Sequence, residues 1–389
     1  MTVTPHLEIG GVDVSKYVKT IHADMSANQE TPGTFDVVLA NIGGQFFAGK
    51  FDVLPADTFT SLYQVPDLDP KSLMICSIIN KRVSCEGTTE VEYRIFTGEV
   101  QHAEIDETEC KITGSCFQGG FSSGLKNSLV FQKDMTNKEI AETLLEEFGF
   151  TGEKYIDPFN NEPNSKSPEY SAAKDFNVAF SELATDSQSI FFFDEWGKFY
   201  FVSPHVYRGT EDLTGKILTG SAASTMVNYQ NWVIVHGGSY GPTHKDDGSE
   251  VPHSEEIKAE AKDDEDIAFR KAQGYGPMKA FEIEVPQCNL DECQTIADNM
   301  LDFYKQYKDV SQIKVVGCAP VLLRKVTYAP FNGLVPQQSC GGSPTTTSSI
   351  TALVTKRSIE LSADGGFVTT LDVAASASAI LAAGVDIGT

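Results

Sequence analysis

The sequence predicts a mixed chain, mainly β, with an α+β insertion between strand-rich parts. Three observations carry this prediction. Short apolar runs with period-two alternation occupy both ends, 32 glycines and 17 prolines punctuate the chain as frequent turns would, and helical spacing is confined to its interior. At 389 residues and 42.3 kDa the chain exceeds one modest core, which points to two or three domains.

The strand signals begin with HLEIGGVDVSKYV, where a glycine pair separates two short extended pieces, and continue through TFDVVLAN and LMICSII. In VEYRIFTGEVQHAEI the alternation is clear at Val91, Tyr93 and Ile95, then changes phase at Thr97-Gly98. A turn or bulge is expected there. KITGSCF closes this first strand-rich part.

Thr136-Asn137-Lys138-Glu139 then fits a capping box, in which the Thr hydroxyl and the Glu carboxylate satisfy amides that a helix start leaves unpaired. Ile140, Ala141, Leu144, Leu145 and Phe148 form the apolar stripe behind it, and Gly149 fits the stop. YIDPFNNEPNSKSPEY reads as a connection, and Phe176, Phe180, Leu183 and Ala184 suggest a second helix.

FFFDEWGKFYF follows directly. Alternation sends Phe191 and Phe193 one way and Phe192 the other, and Glu195-Trp196-Gly197-Lys198 can reverse the chain before Phe199. This predicts an aromatic hairpin in a core, with Trp196 in the turn as the ring that can reach solvent. MVNYQNWVIVHGGSYGP returns to extended structure. The acidic run that comes next holds ten Asp or Glu from Asp246 to Asp266 against two Lys, and is expected as a solvated loop or insertion with some helical tendency. Asn289 and Glu292 suit the start of a further helix, whose buried face would be Cys293, Ile296, Ala297, Met300, Leu301 and Tyr304. QIKVVG, VLLRKVTYA, SITALVTKRSIELS and GFVTTLDV are strand-like again, with SADGG as a hairpin turn. The last run, AASASAILAAGVDIGT, reads as a tail or as a segment ordered by a neighbour.

A formal net charge of -24 argues against non-specific adhesion to DNA, RNA or anionic lipid, because those partners need clustered Lys and Arg to release counterions. No basic leader with an apolar core opens the chain, and no stretch approaches 18 uninterrupted apolar residues, so a soluble protein without a standard secretion signal is expected. The eight cysteines form no CxxC pair, and Cys110-x5-Cys116 and Cys288-x4-Cys293 lack zinc-knuckle spacing. Cys318 in VVGCAP reads as a buried strand-end thiol rather than a nucleophile. His236 and His244 straddle glycines instead of sharing a helix face, and LANIGGQFFAGK lacks the end of a Walker A loop. Glu99, Asp194 and Glu195 are the least arbitrary candidates for acid–base work, but their spacing alone assigns no such role. They read as solvated turn carboxylates. No catalytic, cofactor-binding or metal-ligating residue is assigned.

The order of these pieces resembles the central baseplate hub proteins of contractile-tailed bacteriophages and related injection systems, the late-control D group. The likeness runs through LEIGGVDVSKYV, FDVVLAN followed by KFDVLPAD, YRIFTGEV, DMTNKEIAETLLEEFG, FFFDEWGKFYFVS, ECQTIADNML and KRSIELSADGGFVTTLDV. The resemblance implies two tail-tube-like β-barrel domains plus a mixed domain. The first barrel would span residues 1–125, the mixed domain with the aromatic hairpin 126–207, and the second barrel 208–245 with 310–375. Residues 246–309 would be an acidic insertion with a connecting helix, and 376–389 a tail.

The same resemblance implies a structural virion protein: a homotrimer adapting a sixfold tail tube above to a separate threefold spike below, with baseplate wedge proteins as candidate neighbours. Sequence-specific nucleic acid, membrane insertion and cofactors are not implied. The competing readings are a carbohydrate-active or peptidoglycan-degrading tail component and a glycan-binding tail module built on Trp196.

Overall fold

The computed structural model describes residues 2–27, 32–42, 46, 68, 70–84, 87–132, 135–158, 168–187, 189–203, 206–223, 230–237, 257–274, 276, 278, 280–285, 290–305, 310–328, 350–362, 366–374 and 385–386. A 13-stranded sheet dominates it. In spatial order its main path runs Ile217–Ala223, Val310–Val316, Gly366–Ala374, Ile350–Ser362, Val18–Ser26, Thr34–Ala40, Glu109–Ser115, Gly87–Ile105, Leu73–Ser84, Thr2–Ile9 and Val12–Asp13. Lys325–Tyr328 joins from the side of Ile350–Ser362 and carries Thr210–Asp212 with it.

This sheet corrects the expected pair of barrels: it is open, and among the described residues no sheet closes into a barrel. The cause is one long-range pairing. Ile350–Ser362 lies antiparallel to Val18–Ser26 from Lys356 opposite Ser26 to Ser362 opposite Thr20. Strands near the two ends of the chain therefore satisfy each other's backbone groups. Each strand set becomes one half of a common sheet instead of curling onto itself.

One face of the sheet is apolar by simple alternation. Ile21, Ala23 and Met25 of one strand, Phe35, Val37 and Leu39 of the next, and Ile359 and Leu361 across the junction are all buried. The strand Gly87–Ile105 runs straight through Thr97-Gly98 with no turn, and the phase change is absorbed by register shifts beside Cys76 and beside Val100.

The capping box forms as its residues require: the Glu139 amide donates to Thr136 Oγ1, and the Thr136 amide donates to the Glu139 carboxylate. The helix Asn137–Phe148 ends at Gly149, whose φ of 89° only glycine adopts without strain. The second helix spans Phe176–Asp186. These helices pack over the hairpin made by Ile190–Phe193 and Phe199–Val202, to which Lys154–Ile156 adds in parallel.

A smaller three-stranded sheet, ordered Ile257–Lys262, Trp232–Gly237, Ala280–Val285, has its own core against the helix Leu290–Lys305. Part of the acidic run is thus ordered, as the strand Ile257–Lys262 and the helix Asp264–Ala272. Glu260 is held between Lys258 and Lys262, which offsets the crowding of like charge expected for this run. Asn289, His244, Gly43, Gly44, the centre of SADGG and most of the terminal run lie outside the described residues.

Candidate functional site

The hairpin is buried on both faces, so its burial does not alternate. On one face Phe193 meets Phe199 edge-on with ring centroids 5.2 Å apart, and Phe121 stacks on Phe180 at 5.0 Å beside them. On the other face Phe192 stacks on Tyr200 at 5.1 Å, and the Arg208 guanidinium lies over the Tyr200 ring. Stacking therefore happens inside the protein, as the core reading of this stretch predicts.

The turn beyond these rings forms the most unusual constellation in the described structure. Asp194 and Glu195 are buried, which corrects the expectation of solvated turn carboxylates. Their burial is tolerated because two guanidiniums come to meet them. Arg208 Nη2 lies 2.9 Å from Asp194 Oδ2 and 3.1 Å from Glu195 Oε1, while Arg357 Nη2 lies 3.7 Å from Glu195 Oε2. Two carboxylates thus face two guanidiniums, all four nearly inaccessible to solvent.

Backbone bonds fix the cluster from three directions. Asp194 Oδ1 accepts from the Trp196 and Lys198 amides at 2.9 Å each, closing the turn, and Thr97 donates its hydroxyl to the Glu195 carbonyl. Arg357 donates to the Ile95 carbonyl at 2.8 Å, and the Arg208 amide donates to the Leu323 carbonyl. Hairpin, first strand set and last strand set therefore meet here.

The low-dielectric setting shows in the titration of its members. Burial, reinforced by the neighbouring Glu195 charge, pushes the Asp194 carboxyl up to about 6 against the pull of Arg208. Burial also pulls on Arg208, but Glu195 and Asp194 outweigh it and hold its guanidinium above the ordinary value. For Arg357 burial wins, and its affinity for the proton is lowered.

This arrangement can hold elements together but offers no route for acid–base chemistry. A hydrolytic pair must reach a shared substrate and a water, whereas Asp194 and Glu195 are 1% and 0% exposed and bonded to arginines. Glu99 stands half-buried on the strand Gly87–Ile105, opposite Leu73 and Ser115, and is not a bonding partner of the cluster. Among the described residues no group of three or more His, Cys, Asp or Glu is placed to hold a metal ion. Cys76, Cys110, Cys116, Cys293 and Cys318 are buried thiols. Burial pushes the Cys116 thiol up to about 11, far from a reactive thiolate, although its sulfur accepts the Gly33 amide. No described helix is long and apolar enough to cross a membrane.

Sequence reasoning missed Arg208 and Arg357 entirely. Each is a lone arginine in a strand-and-turn context, and nothing local marks either as the partner of a turn 13 or more residues away. Trp196, in contrast, is where the turn predicts it: 57% exposed at the tip of the hairpin.

No protein-family model matches the chain, and no curated protein matches it in sequence. Solved structures do match it in fold. The tail protein from Neisseria meningitidis MC58 aligns with a TM-score of 0.63 at 14% identity, over 96% of this chain and 97% of that one. The 43 kDa tail protein of prophage MuSo2 from Shewanella oneidensis aligns with a TM-score of 0.58 at 12% identity, over 96% of this chain and 98% of that one. The chain thus shares its fold with these two tail proteins over nearly its whole length.

Proposed function

We propose that this chain is a non-enzymatic structural protein at the hub of a phage tail, where a homotrimer adapts a sixfold tail tube to a separate threefold spike. The observation that carries the reading is the shared fold: two tail proteins match over nearly their whole length and nearly all of this chain. A hydrolase or a binding enzyme would be expected to add a cleft or a domain to such a frame. Here the strongest charged constellation is sealed and bonded to itself, which suits a part that must stay rigid while neighbours bear on it.

On this reading the protein resides in the virion's tail baseplate after assembly in the host cytoplasm. A strongly acidic chain suits a passage that DNA must traverse without sticking. Electron microscopy of assembled particles, resolved well enough to count subunits at the distal end of the tube, tests the proposal. Three copies on the tail axis are expected. Six copies, or a peripheral position, would overturn it.

A further inference from the structure

Arg94 lies on the strand Gly87–Ile105, opposite Ser77, with its guanidinium carbon 4.5 Å from the centroid of the Trp196 ring. Its Nε is buried and finds no hydrogen-bond acceptor among the described residues, where no carboxylate pairs with it either. This is an unusual state for an arginine in a chain with 54 carboxylates and 30 lysines and arginines. The indole that holds it is itself held. The Trp196 amide is bonded to Asp194, the preceding carbonyl accepts from Thr97, and Gly197 at φ 78° leaves no room for a side chain against the Phe117 ring.

We infer that Arg94 and Trp196 together form a docking point for a carboxylate-bearing surface of a second copy of this chain. A guanidinium laid flat on an indole keeps one face occupied; with Nε sealed, the terminal Nη edge of this half-buried side chain is the part that would bind a carboxylate in two-pronged fashion. Trp and Arg are also the residue types that carry most binding energy at interface centres, and a pair fixed in advance loses little freedom on binding. The charge balance selects the partner: a second copy offers carboxylates nearly twice as often as cations. An acidic sugar stacked on the indole is the competing occupant, but Arg94 already covers one face of that ring.

The inference rests on the homotrimer proposed above, and its test separates the two. Sedimentation velocity of the full chain over a concentration series compares wild type with Arg94→Gln, Arg94→Lys and Trp196→Ala, with thermal melting as the control for folding. Wild type should sediment near three times 42.3 kDa. Arg94→Gln and Trp196→Ala should weaken association at least tenfold, with the melting of the dissociated chain at the lowest concentration unchanged, and Arg94→Lys, which keeps the charge without the flat fork, should fall between. Variants that assemble as tightly as wild type would refute the docking point and leave the trimer standing. A wild type that stays monomeric at every concentration would refute the trimer itself. Variants that assemble normally but lose retention on an acidic polysaccharide column would reassign the site to sugar.

Discussion

Asp194 is the residue at which this protein departs furthest from ordinary surface chemistry. Its carboxyl rises from 3.8 to about 6 because burial and Glu195 oppose its ionisation more than Arg208 favours it. The folded protein therefore binds this proton more tightly than the unfolded chain does. Stability from this group is present below about pH 4 and is lost as pH rises towards 6, the reverse of a carboxylate in a favourable ion pair. Asp194→Asn has no proton to bind, so wild type should gain on the order of 2–3 kcal/mol of stability relative to the variant from pH 7 to pH 4. Urea unfolding of both proteins at several pH values measures that gain. A wild type that gains nothing, or loses stability, relative to the variant on acidification would show that the Arg208 interaction dominates instead. None of this was legible at Asp194-Glu195 in the sequence, because burial there depends on Arg208 and Arg357, which arrive through tertiary contacts.

At the scale of elements, local signals were legible wherever the physics was local. The capping box at Thr136, the left-handed stop at Gly149 and the reversal around Gly197 each involve residues within a few positions of one another, and all form as their chemistry requires. The hairpin's function as core follows from the same alternation, since Phe193 and Phe199 do share a face. Alternation could not reveal that the opposite face, with Phe192 and Tyr200, is buried too. Phe193 touches the rings of Phe117, Phe121, Phe150 and Phe199, so Phe193→Ala opens a cavity that several neighbours line. It should cost roughly 3–5 kcal/mol in chemical unfolding. Trp196→Ala, a few residues away but exposed, should cost far less; equal losses would mean that the turn, not the ring cluster, supports the hairpin.

At the scale of the whole molecule, the pairing of Ile350–Ser362 with Val18–Ser26 decides how the protein should unfold. It joins strands more than three hundred residues apart in sequence, and no local pattern announces it, so nothing in the sequence itself opposed the two closed barrels that the resemblance implied. One continuous sheet with one continuous core implies that its two strand sets melt together. The smaller sheet does not share that core: Val233, Val235, Ala259, Ala261, Cys293, Ala297 and Leu301 pack as a separate cluster. It should therefore unfold as its own cooperative unit. Differential scanning calorimetry should resolve a large transition and a smaller one. Ile359→Ala, in the shared sheet, should lower only the large transition, and Leu301→Ala, in the separate cluster, only the small one. If Ile359→Ala instead split the large transition into two, the halves of the sheet would be independent domains despite their pairing. If both variants lowered a single peak together, the two cores would be coupled more strongly than their separate packing allows.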